Sequence, residues 1–401
     1  MLTPLDISQE PRTLGALGGR LRRVGVALLV VGGLAAGALG ATSGDGGRSF
    51  FFGYLLNYAF VLSLALGALC FVMLQHVTHA GWSVVVRRLA EGVAQTMPLM
   101  AVLFLPLLLA MPELYRWAAV GGAAGDPVLA GKAAYLNVPF FVARWAVYLL
   151  VWIYLARFFF RRSVAQDTSG DPLETVAMQR RAAVGLVVYA FTLTFASFDL
   201  LMSLEPDWYS TMFGVYYFSG AMVGVFALLP VMVWVLQRGG VMTRAVTREH
   251  SHDMGKLLFA FIVFWAYIAF SQYMLIWYGN IPEETAFFLR RQTGGWGWIG
   301  LVLVFGHFFV PFLALLSRTP KRRLGMLAGV AVWVLAMHWV DVYWLVVPQE
   351  SASLALPLVD LALLVAFSGA FLVWVATVLA RVSLIPERDP RLAESLTFEN
   401  A

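Results

Sequence analysis

Ten long stretches of the chain consist almost entirely of Leu, Val, Ala, Phe and Trp, without the regular polar positions of a soluble amphipathic helix. Each stretch has about 20 to 28 residues, enough for a helix to cross the hydrocarbon core of a bilayer. The pattern predicts an all-α polytopic membrane protein with about ten transmembrane helices. We place these spans at residues 22–42, 50–78, 93–111, 138–160, 181–204, 211–237, 254–278, 297–317, 323–347 and 357–384.

The composition supports this fold class and limits the chemistry. Hydrophobic residues make up 60% of the chain and charged residues 13%, which excludes an ordinary soluble domain. The single cysteine, Cys70, lies inside an apolar stretch, so the chain alone cannot build a disulfide framework, a thiolate metal cluster or an iron–sulfur site. We therefore expect no cofactor bound by this chain, and any redox metal to belong to a partner.

The basic residues set the predicted topology. With the N-terminus inside, 22 of the 28 Lys and Arg residues fall on the cytoplasmic side, five fall in outer loops, and Arg144 lies within a span. Both termini are therefore predicted to be cytoplasmic. We divide the single membrane domain 1–401 into a cytoplasmic segment 1–21, a membrane region 22–384 and a cytoplasmic tail 385–401. The sequence pI of about 9.4 reflects this inner belt of charge and not nucleic-acid binding.

Polar side chains inside the spans are few, and lipid offers them no hydrogen bonds, so each is a candidate for function. Most are predicted to lie in the outer half of the membrane, whereas the inner half is expected to hold almost nothing that titrates. The candidates are Asn57, Arg144, Asp199, Gln272, His307, His338, Asp341 and Asp360, with Glu205 just beyond the fifth span.

Two pairings follow from the spacing and depth of these residues. Arg144 and Asp199 are expected to form an ion pair, either as a clamp between helices or as part of a functional path. His338 and Asp341 are three residues apart and share a helix face, so the carboxylate is expected to orient the imidazole as a proton relay. The alternative for His338 is an ordinary buried histidine beside a helix-end carboxylate.

The histidines also permit metal sites, which we weigh against simpler roles. His307 and His338 lie near mid-membrane on consecutive antiparallel spans and could be the two axial ligands of a b-type haem. Four further histidines near the cytoplasmic ends could converge on a metal ion, although capping of helix ends is the more common role. These are His76, His79, His250 and His252.

One stretch, SFDLLMSLEPDWYSTMFGVYY at residues 197–217, closely resembles a signature of NrfD-like membrane subunits, specifically the ActF-type subunit of bacterial alternative complex III. Three further stretches match the same family: residues 74–76 with 80–88, residues 132–141 with Arg144, and residues 253–256 with 270–280, which include Gln272 and Tyr273. The resemblance covers residues from about 50 to 347.

The resemblance implies two four-helix bundles, spans 2–5 and 6–9, with two peripheral helices. It also implies a non-catalytic subunit of a quinol:cytochrome c or quinol:terminal oxidase oxidoreductase in the bacterial inner membrane. The partners implied are a sibling NrfD-like quinol-binding subunit, an iron–sulfur subunit, multihaem and monohaem cytochrome c subunits, small membrane subunits and lipid. Haem c and the iron–sulfur clusters would belong to those partners, and quinone is the candidate ligand of the membrane region.

Taken together, the depth of the polar residues and the resemblance lead to one hypothesis. The outer polar residues form either a proton half channel or a polar pocket beside a quinone. The residues assigned to it are Arg144, Asp199, Glu205, His338, Asp341, Asp360, His307, Asn57, Gln272 and Tyr273. Two alternatives stay open: a stand-alone secondary transporter, and a scaffold subunit whose acidic residues only hold helices together.

Overall fold

The structure, a computed structural model, describes residues 6–119, 121, 126–354 and 358–400. In these ranges the chain is helical, contains no β-strand, and has ten helices long and apolar enough to cross a membrane. The prediction of an all-α polytopic membrane protein is confirmed. Spans 1 to 10 are Gly15–Thr42, Arg48–Val77, Val84–Leu109, Val138–Ser169, Pro172–Leu204, Phe213–Arg238, Arg248–Gly279, Trp296–Leu316, Leu324–Gln349 and Leu358–Leu379.

Side-chain caps fix where several helices begin. Asp171 precedes Pro172 at the start of span 5, and its carboxylate accepts the backbone N–H of Leu173. Proline suits the first helical turn because that position needs no N–H donor. Span 7 begins after Thr247 with a capping box that involves His250. Short helices outside the spans are Met111–Leu114, Pro127–Lys132, Pro282–Arg290, Arg318–Arg322 and Leu392–Leu396.

The spans form two bundles side by side. Spans 2–5 pack on one another as the first bundle, and spans 6–9 form the second. Span 2 is buried along its length because it contacts both bundles, packing on span 6 as well as on its own bundle. Spans 1 and 10 pack against each other outside the bundles, and span 10 also packs against span 2. This is the arrangement expected from the sequence.

The two ends of the chain meet on one face of the molecule. The backbone N–H of Leu384 donates to the carbonyl of Arg12 at 2.7 Å, and Arg12 pairs with Glu387 at 3.4 Å. We call this the inner face and the opposite one the outer face. The distribution of Lys and Arg predicts that the inner face is cytoplasmic.

Some predicted boundaries were wrong. Span 3 begins at Val84 rather than at residue 93, so Arg87, Arg88 and Glu91 lie inside the helix and are buried. These charges tolerate burial because they pair with one another and with other segments. The predicted start of span 10, residue 357, lies outside the described residues, and the helix ends at Leu379 rather than at residue 384.

Glycines let spans 1 and 10 touch through their backbones. A Cβ added at Gly32 would lie 2.4 Å from the backbone nitrogen of Ala366, and one at Gly369 would lie 2.3 Å from that of Leu29. Small residues drive helix association in lipid because packing, rather than hydrophobic transfer, supplies the free energy there. The pairing of the peripheral spans therefore depends on these positions.

Replacing Gly32 by Val should separate spans 1 and 10 locally and destabilise the protein by about 1–3 kcal/mol, the usual cost of overpacking. Thermal unfolding of the purified protein in detergent measures this. Gly33→Val is the matched control, because a Cβ at Gly33 meets nothing within 4 Å. Equal melting temperatures for the two variants would contradict close backbone packing at Gly32.

Candidate functional site

The structure divides the predicted site residues into three groups rather than one continuous path. Arg144 and Asp199 lie in the first bundle. Asn57 and the backbone of Asp360 join spans 2 and 10. The remaining predicted residues lie in or beside the second bundle, namely Glu205, Gln272, Tyr273, His307, His338 and Asp341.

The predicted ion pair of Arg144 and Asp199 is confirmed. Two parallel hydrogen bonds join them, Nε to Oδ2 at 2.9 Å and Nη2 to Oδ1 at 2.8 Å. The hydroxyl of Tyr148 donates to the same carboxylate at 3.1 Å, and the guanidinium lies over the rings of Tyr135 and Phe140. Bidentate geometry and additional donors offset the cost of burying both charges. The arrangement is that of a clamp between spans 4 and 5.

Asp341 is the buried acid at the centre of the second bundle. Its carboxylate accepts hydrogen bonds from the Tyr216 hydroxyl on span 6 and from the Trp265 indole N–H, the latter at 3.1 Å, on span 7. The side chain is essentially inaccessible to solvent. Three spans therefore meet at one carboxylate.

The expected His338–Asp341 pair was wrong. The Nε2 atom of His338 lies 2.8 Å from the Ser63 hydroxyl on span 2, and no hydrogen bond joins the imidazole to Asp341. Glycine on span 6 explains the ring position, since a Cβ at Gly220 would lie 2.8 Å from His338 Cε1. The imidazole fills the space above this glycine and points to the neighbouring bundle.

His307 lies in a π-helical segment, Leu303–Phe309, within span 8. Pro311 has no N–H to donate to the carbonyl four residues earlier, that of His307, which favours the wider helix here. The buried imidazole stacks on Trp265 with 4.0 Å between ring centroids. Neither ring nitrogen has a hydrogen-bond partner among the described residues. Single π segments are frequent at functional sites.

The histidine arrangements that would bind metals find no support in the geometry. His307 and His338 have ring centroids 6.4 Å apart, but Trp265 covers one ring and Phe60 packs on the other, so no slot for a porphyrin separates them. Within the described ranges, no three His, Cys, Asp or Glu side chains converge as metal ligands. Of the inner histidines, His76 stacks on Phe159 and His250 caps span 7.

A lateral cavity of about 840 Å³ opens beside Asp341. It lies between spans 7 and 8 and the short helix Pro282–Arg290, and aromatic and aliphatic side chains form most of its wall. Tyr216 and Trp265, the two donors to Asp341, line it. Gln272 and Tyr273 line it as well, so two of the predicted residues do meet around one cavity.

The side-chain oxygen of Gln272 is the notable polar atom of this wall. The residue is 93% buried, and its Oε1 accepts no hydrogen bond from any residue that the structure describes. A buried acceptor without a donor costs about 1–3 kcal/mol.

Arg291 borders the cavity and was missed by the sequence reasoning, which placed it in an outer loop. Its guanidinium is buried, pairs with Glu205 at 2.9 Å and lies 3.4 Å from the Phe287 ring centroid. Glu205 also faces Arg290, whose side chain is about half exposed. An arginine that follows another in a short loop looks solvent-exposed in sequence, so only the folded chain reveals this pair.

A second cavity, of about 340 Å³, opens at the outer ends of spans 1, 2 and 10. Asn57 supports its floor, donating to the Asp360 carbonyl at 3.0 Å and accepting the Trp339 indole N–H at 2.9 Å. The Asp360 carboxylate packs against Gly53, where a Cβ would lie 2.4 Å from Oδ1, and lines this cavity. Glu350 also lines it.

The expectation that the inner half lacks titratable groups was wrong at its inner end. Arg87 forms ion pairs with Glu91 and Asp389, at 3.2 and 2.5 Å, while Arg88 forms ion pairs with Glu91 and Asp167, at 3.1 and 2.8 Å. Both arginines are buried, and the last partner, Asp389, belongs to the C-terminal tail. This network neutralises its charges internally and joins the tail to the first bundle.

A scan against models of known protein families finds no match to this chain, and no curated protein matches it significantly in sequence. The resemblance of residues 197–217 to NrfD-like subunits therefore stays a prediction, and the geometry alone supports the description of a multi-pass helical membrane protein.

Removing one partner of the Arg144–Asp199 pair should leave a buried charge without compensation. We expect Asp199→Asn to destabilise the protein by about 3 kcal/mol or more, measured by thermal or denaturant unfolding. Asp207→Asn is the control, because its pair with Arg116 is exposed and such pairs contribute about 0–1 kcal/mol. Equal losses in the two variants would contradict the clamp.

Proposed function

We propose that this chain is a non-catalytic membrane subunit of a quinol-oxidising respiratory complex of the alternative complex III type, in a bacterial inner membrane. Its second bundle provides a quinone-adjacent pocket with an acid that accepts protons. The observation that carries this proposal is the bonding of Asp341 by Tyr216 and Trp265, both of which line the lateral cavity. The resemblance of residues 197–217 supports the choice of complex.

The residues around the cavity fit a quinol in shape and chemistry. Aromatic rings and aliphatic side chains suit an aromatic head group with an apolar tail, and Gln272 and Tyr273 add polar side chains to the wall. Exposed apolar side chains at the rim, such as Tyr267 and Phe270, face the region that lipid would occupy. A tail would therefore enter from the bilayer.

Quinol, when bound, would supply two electrons and two protons, and the proposal assigns the electrons to haem or iron–sulfur groups of partner subunits. The chain's own part is to take a proton at the Asp341 carboxylate by way of the Tyr216 hydroxyl. Arg291 and Glu205 border the same region toward the outer face. Their position favours release on that side.

We also propose the partners that the resemblance implies. They are the sibling NrfD-like subunit that binds quinol, an iron–sulfur subunit, cytochrome c subunits and small membrane subunits. One observation favours the alternative of a scaffold subunit. The Arg144–Asp199 clamp joins spans 4 and 5, and neither residue lines either described cavity.

Asp341→Asn should lower quinol-dependent electron transfer of the assembled complex by about tenfold or more, because a positioned acid–base group contributes about 10²- to 10⁴-fold. The measurement is quinol:cytochrome c activity normalised to haem content. Asp207→Asn, a substitution of the same kind at an exposed outer position, should leave it unchanged. Full activity of an assembled Asp341→Asn complex would favour the scaffold role.

Filling the cavity tests the site without removing a polar group. A Cβ at Gly300 meets nothing within 4 Å although Gly300 lines the cavity, so Gly300→Leu should occupy the space without distorting the fold. We expect a rise in the KM for quinol of about tenfold, since the added side chain competes for the same volume. Gly329→Leu is the control, because Gly329 also has open space and lies away from the cavity.

An unchanged KM in Gly300→Leu would overturn quinol binding at this cavity. Loss of activity in Gly300→Leu and Gly329→Leu alike would point to general disturbance of the bundle.

A further inference from the structure

The second cavity, at the outer ends of spans 1, 2 and 10, contains two acidic side chains that the proposed function does not use. Asp360 is 93% buried, and Glu350 is partly buried. Neither carboxylate has an ion-pair partner or a hydrogen-bond donor among the residues that the structure describes. Because both side chains line the cavity, their carboxylates are open to a cation or a hydrogen-bond donor that enters it.

Further groups on the wall also favour a cation. The ring of Tyr343 lines the cavity beside Trp296, with centroids 5.5 Å apart, and aromatic faces attract ammonium groups. The space of about 340 Å³ is much larger than a bare ion requires. An organic ammonium group fits both its size and its chemistry.

A basic residue near the cavity indicates that the ligand also carries an anionic group. Arg48 begins span 2, and its guanidinium reaches the Gln349 carbonyl at 3.5 Å rather than pairing with Glu350. A cation beside an acidic cavity is complementary to a zwitterion, whose anionic group binds arginine while its ammonium binds the carboxylates.

The position of the cavity indicates that the ligand also has an apolar part. It opens at the ends of spans 1 and 10, where lipid headgroups meet the protein, and Leu358 is exposed at its rim. Leu34 and Val31 on span 1 expose apolar surface below it. Acyl chains would lie along this surface while a headgroup entered the cavity.

We infer that the second cavity binds the headgroup of an aminophospholipid of the phosphatidylethanolamine type from the outer leaflet. The ammonium group lies between Glu350 and Asp360, and the phosphate lies at Arg48. The site is separate from the lateral cavity and from quinol, because the two cavities share no lining residue.

Native mass spectrometry of the purified full-length chain, titrated with single lipids, tests this inference. We expect one phosphatidylethanolamine to be retained at least about tenfold more tightly than phosphatidylglycerol, which lacks the amine, or phosphatidylcholine, which cannot donate a hydrogen bond from nitrogen. Equal retention of the three lipids would overturn the inference.

Glu350→Gln is the principal variant, since this residue lies outside the spans and its replacement keeps the shape. It should remove most of the preference for phosphatidylethanolamine, and Asp360→Asn should do the same. The matched control is the double variant Glu113→Gln and Glu283→Gln, which removes exposed carboxylates from the same face and should keep the preference. Loss of the preference in the control would show a general effect of surface charge and contradict a specific site.

The Arg48→Gln variant tests binding of the phosphate separately from binding of the ammonium group. It should weaken retention of phosphatidylethanolamine severalfold, because the phosphate loses its cation, while the folded protein keeps both carboxylates. A different outcome would overturn the lipid assignment. If the Glu350→Gln variant binds phosphatidylethanolamine normally but loses a protein subunit from the complex, the occupant of the cavity is a basic side chain of that partner.

The pH dependence supplies a second readout. Burial, with the nearby carboxylates of Asp360 and Asp45, raises the pKa of Glu350 to about 7, against the opposing effect of Arg48. Glu350 gains its negative charge as the pH rises through this value, so retention of the ammonium group should strengthen from pH 6 to pH 8. The dependence should flatten in Glu350→Gln. Retention that weakens over this interval would contradict the assignment.

Discussion

A carboxylate inside a bilayer needs a donor from the protein, because lipid supplies none, and this requirement organises most of what the structure shows. Asp199 receives a bidentate arginine and a tyrosine hydroxyl. Asp341 receives a tyrosine hydroxyl and an indole N–H, without a cation. The two carboxylates therefore differ in how their charge is balanced, since Asp199 is paired with a cation and Asp341 is held by neutral donors.

The same comparison separates the roles of the two bundles. The first bundle neutralises its buried charges internally, at the clamp near its outer end and at the arginine network near its inner end. The second bundle instead borders the large lateral cavity, which Gln272 and Tyr273 line. Charge pairing between helices therefore characterises the first bundle, and space for a ligand lies beside the second.

The sequence was sufficient for features governed by one strong constraint. Span length follows from bilayer thickness, and Arg144 had to find an acid at similar depth, which left Asp199 as the natural partner. Sequence-based prediction failed where two placements of a side chain have similar free energy. His338 and Asp341 share a helix face, yet the space above Gly220 directs the imidazole to Ser63. Arginines at a helix end, such as Arg88 and Arg291, look alike in sequence whether they meet headgroups or are buried in protein.

The C-terminal segment also determines how the chain responds to truncation. Asp389 pairs with Arg87 inside the first bundle, and the backbone N–H of Leu384 donates to the carbonyl of Arg12. A chain that stops before residue 384 would lose both contacts, and Arg87 would keep Glu91 as its acidic partner among the described residues. Shortening the tail therefore unbalances a charge buried in span 3, some 300 residues away along the chain.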